Sequence, residues 1–185
     1  IYTADTDGMN WPSQSTRVSV VDINSFEFEK TITVSLNPNY IYSDSDGDVY
    51  VICMSDYSDD KSYIVQRIDA KTDEVKTVEG IKAYKMTVAD DIAYIMFNDY
   101  YANEVKYYKY DLKNEKLLSD NFITDGTVVS SPNGIGVDPV TGDIYVGKSN
   151  KKNNGDVYVF SSEGKLKSQF ETLPYPADFV FMTNK

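Results

Sequence analysis

The chain has 185 residues, 41% apolar and 25% charged, an ordinary globular composition with room for one good-sized domain. It contains no histidine and one cysteine, Cys53, which removes every histidine-dependent catalytic or metal-binding arrangement and any intrachain disulfide. The net charge of −11 repels polyanions, so no nucleic-acid partner is expected, and no apolar run approaches the roughly 18 residues of a membrane-spanning helix.

Sixteen tyrosines and eight phenylalanines, set against few leucines and alanines, favour strands over helices. The first segment, 1–34, reads as strand 1–4, polar loop 5–15, strand 17–22 and strand 29–34. The second, 39–79, repeats this with an extra strand in front: 40–43, an acidic turn at 44–47, then 48–54, loop 55–61, 63–69 and 75–79. The third, 83–124, has strands at 84–89, 92–97, 104–111 and 117–124. In the fourth, 133–171, they fall at 134–138, 144–147, 156–161 and 165–171. Residues 174–182 read as one more leading strand, expected to close a ring against N-terminal strands.

Tyr2, Tyr50, Tyr94 and Tyr145 mark equivalent points, 44–51 residues apart. Four short hairpin-joined strands at such a period are the sequence form of a β-propeller blade. The second strand supports blades over a β-sandwich or an open β-solenoid. Runs such as 49–54 and 92–97 are almost continuously apolar, as a strand covered on both faces should be. The expected fold is therefore all-β, a propeller of four-stranded antiparallel blades. Four repeats are visible, and part of a larger ring is the expectation set ahead of a closed ring of four.

The stretch SPNGIGVDPVTGDIYVG, 131–147, resembles the strand–turn–strand core of YVTN/YncE-like and NHL-type propeller repeats, and PYPADFVFM, 174–182, resembles a weaker copy of its opening. The chain is also similar to secreted or lipid-anchored propeller proteins of gut Bacteroidetes. This resemblance implies a seven-bladed ring and an extracytoplasmic binding or scaffold module, at the periplasm or cell surface, without established catalysis.

Each candidate site has a structural alternative. Asp5, Asp7, Asp44, Asp46 and Asp48 suggest calcium, but Gly47 stands fourth from Asp44 and Ser55 occupies the twelfth position, so the EF-hand pattern fails. The sialidase aspartate box fails at Ser45. Hairpin turns are the better reading, and neither a metal nor a cofactor is expected. Cys53, Met54, Met86, Met96 and Met182 read as core. Asp178 alone sits where a propeller glycosidase would carry a carboxylate, so a polysaccharide hydrolase or lyase is only the alternative.

The leading expectation is a non-enzymatic module presenting a loop face to a glycan, peptide or protein partner. Its candidate contacts are Trp11, Tyr57, Tyr100, Tyr101, Asn133 and Tyr175, aromatic rings interleaved with hydrogen-bonding side chains. Lys151 and Lys152 read as a solvated loop tip.

Overall fold

The computed structural model describes residues 1–56, 62–99 and 104–182. It divides into two compact units, Ile1–Tyr84 and Lys85–Lys185. Among the described residues there is no α-helix, and none long and apolar enough to cross a membrane.

In the first unit, β1 (Tyr2–Asp5), β2 (Arg17–Val21) and β3 (Phe28–Thr33) form a three-stranded sheet. A four-stranded sheet follows from β4 (Pro38–Ser43), β5 (Val49–Cys53), β6 (Ile64–Ile68) and β7 (Val75–Lys82), paired in chain order and antiparallel throughout. The two sheets share one core. Val18, Val20, Ile32 and Val34 meet Val49, Val51, Cys53 and Ile68. In β2 the valines alternate with Ser19, whereas all five residues of β5 are buried. The tyrosine strand is therefore second in its sheet and covered on both faces, as its apolar run implies.

The second unit holds β8 (Lys85–Ala89), β9 (Ile92–Asp99), β10 (Glu104–Asp111) and β11 (Lys116–Ser119) in one sheet. Its other sheet is β12 (Pro132–Val137), β13 (Ile144–Asn150), β14 (Asn153–Phe160) and β15 (Leu166–Thr172). Both are antiparallel and ordered along the chain. The four-stranded plan thus holds in three sheets, with three strands in the first.

One device recurs at the turns. Asp22 accepts the Asn24 and Ser25 amides at 2.9 and 2.7 Å, and Asp69 those of Lys71 and Thr72, both at 2.9 Å. Asp111 accepts the Asn114 amide at 2.9 Å, and Asp138 that of Val140 at 2.8 Å. Each carboxylate closes the turn that follows its strand. Each is also held below the ordinary aspartate value. The Ser25 amide contributes most for Asp22, the Lys71 amide for Asp69, the Asn114 side chain for Asp111 and the Val140 amide for Asp138.

Two expectations need correction. β11 stops at Ser119 instead of running to 124, because Phe122 turns inward and meets Tyr94 and Tyr107 edge-on at 5.6 and 5.5 Å. Residues 174–182 form no strand and enter no ladder among the described residues. They lie instead over β12–β14, where glycines make room. A Cβ on Gly134 would stand 2.5 Å from the Ala177 carbonyl oxygen, and one on Gly147 2.5 Å from that of Pro176. Phe179 and Phe181 reach Tyr145 at ring separations of 5.8 and 5.0 Å. The facing residues Val180 and Met182 stay 90% and 94% exposed, so Met182 is not core, whereas Met54, Met86 and Met96 are buried.

Candidate binding cleft

The candidate contacts are held in different ways. Trp11 is 64% exposed and donates its indole N–H to the Asp56 carbonyl at a long 3.5 Å. Its loop is anchored from below. Thr6 donates to the Asn37 side-chain oxygen at 2.5 Å, and the Asn37 amide donates to the Ser55 carbonyl at 3.0 Å. Tyr175 is exposed. Asn133 is partly buried and donates to the Pro176 carbonyl at 3.4 Å, so it braces the C-terminal segment. Tyr57, Tyr100 and Tyr101 lie outside the described residues.

A cleft of about 620 Å³ opens in the second unit, bounded by the start of β10, the crossover 120–131 and the β13–β14 hairpin. That volume falls within the range of small-molecule pockets. Its polar lining includes Asn98, Lys106, Asp120, Asn121, Ser131 and Lys151, over Val105, Ile123 and Val129.

The crossover is a rigid wall because it is tied at several points. Phe122 plugs the core, and the Tyr107 hydroxyl donates to the Val129 carbonyl at 2.8 Å. Burial pushes that phenol far above its ordinary value, so it stays a neutral donor. Asn98 donates to the Pro132 carbonyl at 3.1 Å. Asp125 accepts from the Leu166 amide at 2.7 Å and the Thr127 amide at 3.0 Å. The Leu166 amide is the main reason its carboxyl lies below the usual value. Across the cleft, Lys151 tips a hairpin in which Asn150 and Asn153 pair, and Asn150 donates to the Asn154 carbonyl at 2.8 Å.

Among the described residues the cleft's lining offers hydroxyls, amides, two amines and one carboxylate. Such a set suits a polar ligand. Asp178 is elsewhere: it accepts from Lys85 Nζ at 2.7 Å, while the same ammonium donates to the Ala177 carbonyl at 2.8 Å. This geometry makes Asp178 a strut for the terminal segment. Cys53 is fully buried, and desolvation pushes its thiol up to about 12. Among the described residues, no group of three or more His, Cys, Asp or Glu side chains could hold a metal ion.

Sequence reasoning missed most of this cleft. Its wall lay in a segment read partly as strand, and Lys151 was read as solvated. The available signal was the polar run 124–131, with Thr124, Asp125, Gly126, Thr127, Ser130 and Ser131 following a strand that had already ended.

No family model and no curated protein sequence matches the chain. Solved structures do. The chain is similar to the Dos1 propeller at 13% identity and a TM-score of 0.65, covering 96% of this chain and 45% of that one. It is similar to hydrazine synthase of Kuenenia stuttgartiensis at 14% identity and a TM-score of 0.63, covering 87% and 47%. With TolB from Acinetobacter baumannii the values are 15% identity and 0.57, covering 86% and 38%. The chain therefore spans less than half of each of these three structures, and its fold is that of a β-propeller repeat protein.

Proposed function

We propose that this chain is a non-enzymatic binding module and that the cleft beside the crossover 120–131 is its ligand site. The observation that carries this reading is a 620 Å³ cleft with polar walls fixed in advance by the Tyr107, Asn98 and Asp125 hydrogen bonds. Preformed walls keep the ordering cost of binding low. The resemblance of 131–147 to YVTN- and NHL-type repeats supports an extracytoplasmic setting. Recovery of the native protein in a cytoplasmic fraction would remove that part of the proposal.

A glycan and peptide array probed with wild type, Thr127→Trp and Trp11→Ala tests the reading. Thr127→Trp fills the cleft and should abolish retention of the ligand while leaving the thermal midpoint almost unchanged. Trp11→Ala, in the first unit and outside the cleft, is the control and should leave retention unchanged. Equal retention by wild type and Thr127→Trp would overturn the assignment of the cleft.

A further inference from the structure

The cleft beside the crossover mixes charges, its lining including Lys106 and Lys151 as well as Asp120. A second cavity in the same unit, of about 730 Å³, does not. The β8–β9 turn, the β12–β13 turn and residues 179–181 form its walls, and its charged lining is carboxylate alone, Asp90 and Asp138. Most of the other side chains there are apolar, among them Val88, Val137, Val140, Phe179, Val180 and Phe181. Val140 and Val180 are 72% and 90% exposed. Exposed carbon gathered around a hollow marks a contact site, where single exposed valines would not.

Both carboxylates are open to an incoming cation. Asp138 closes its turn with Oδ1, which accepts the Val140 amide at 2.8 Å and the Thr141 amide at 3.4 Å. Its Oδ2 has no partner among the described residues. Lys167, the cation that bears on Asp138, is held by Asp143 at 2.5 Å. Asp90 accepts no hydrogen bond and joins no ion pair among the described residues, while Lys113 lies 3.4 Å from the next carboxylate, Asp91. On a chain of net charge −11, an apolar hollow rimmed in this way draws cations and repels anions.

We infer that this cavity is a second ligand site, separate from the polar cleft, and that it takes a small amphipathic amine. The ammonium meets Asp90 and Asp138, and an aryl or alkyl body lies against Val88, Val137 and Val180. The volume matches a small molecule. Walls made by two tight turns and three residues of the terminal segment shape a hollow, and not the long groove that an extended peptide occupies.

Titration of the whole chain with 2-phenylethylammonium, followed by backbone amide resonances, tests this. Shifts should centre on residues 88–90, 137–142 and 179–181 and weaken as salt rises. The uncharged analogue 3-phenylpropanol should bind more weakly, and neither 3-phenylpropanoate nor ethylammonium should move these resonances. Asp90→Asn keeps a side chain that tolerates the left-handed backbone at that position, φ +50, and should weaken the amine about two- to fivefold. Val180→Ser, at a side chain already in solvent, should weaken it by a similar factor. Both variants should keep the wild-type thermal midpoint, so that lost affinity is not lost fold. Thr127→Trp, in the other cleft, should change nothing. Equal affinity for 3-phenylpropanol, or undiminished affinity for the amine in Asp90→Asn, would overturn the inference. Shifts confined to the crossover 120–131 would overturn it too, while leaving the binding-module proposal standing.

Discussion

The sheets β4–β7 and β12–β15 follow one strand plan and are held by opposite means. In the first, the second strand fills its surroundings with carbon: Tyr50, Val51, Ile52 and Cys53 are each at most 1% exposed. In the other, β12, β13 and β14 carry Gly134, Gly136, Gly147 and Gly155. The backbone of Pro176 and Ala177 lies where side chains on Gly134 and Gly147 would stand, and the Phe179 side chain where one on Gly136 would. The repeat pattern specifies strands and turns. What may lie against a strand is decided by single residues within it, through close packing in one sheet and close backbone approach in the other.

Two substitutions of opposite kind would break this comparison if it is wrong. Ile52→Ala removes buried carbon and should cost about 2–5 kcal/mol, read from the urea unfolding midpoint. Gly147→Ala adds carbon, at 2.5 Å from the Pro176 carbonyl oxygen, and should cost about 1–3 kcal/mol while exposing 174–182 to protease. Gly8→Ala, with nothing within 4 Å of its Cβ, is the control and should be nearly silent. If Gly147→Ala is equally silent, the glycine track is not what seats the segment.

Polar groups sharpen the same contrast. Asp48 takes both Arg67 Nε, at 3.0 Å, and Arg67 Nη2, together with the Ala70 amide at 2.9 Å. Asp48→Ala strands those donors and should cost about 1–3 kcal/mol. The corresponding Asp143 holds Lys167, whose side chain is 51% exposed, at 2.5 Å. Removing Asp143 should therefore cost less, which paired unfolding curves would show.

The smallest effect at neutral pH belongs to Cys53. Its thiol is raised by desolvation from 9.0 to about 12, so the folded state keeps the proton longer than the unfolded chain does. Its contribution is complete below pH 9 and is lost as pH rises from 9 toward 12. Cys53→Ala should flatten the alkaline fall of the urea midpoint in that window. The native thiol should also resist alkylation at pH 8 until denaturant is added.

The strands were legible wherever one residue type repeated with the strand period. Val18 and Val20 flanking Ser19, the apolar run of β5, and the Asp closing β10 are all local signals. Two segments misled because their alternation continued after the ladder had stopped. Leu117, Leu118, Phe122 and Ile123 read as one strand, yet Phe122 is claimed by Tyr94 and Tyr107, a contact decided in three dimensions. Phe179 and Phe181 alternate with Val180 as a strand would, but they are seated by Tyr145 and not by a ladder. Candidate site residues were harder still. Trp11 and Tyr175 are exposed, while Asn133 faces the Pro176 carbonyl. The cleft arises where a crossover passes two hairpins, a juxtaposition that no single window of sequence contains.

The aspartate turns have a consequence for how such a chain can be remodelled. Asp22, Asp69 and Asp111 each accept from groups two or three residues downstream. A hairpin closed in this way brings the carboxylate and the amides that bend it within one short stretch, even where, as at Asp73 with Lys30, a distant strand adds an ion pair. It can be transplanted, duplicated or lengthened at the loop beyond it, and the graft will still know where to bend. The Gly134–Ala177 and Gly147–Pro176 approaches have no such portability, because each requires its partner to be present.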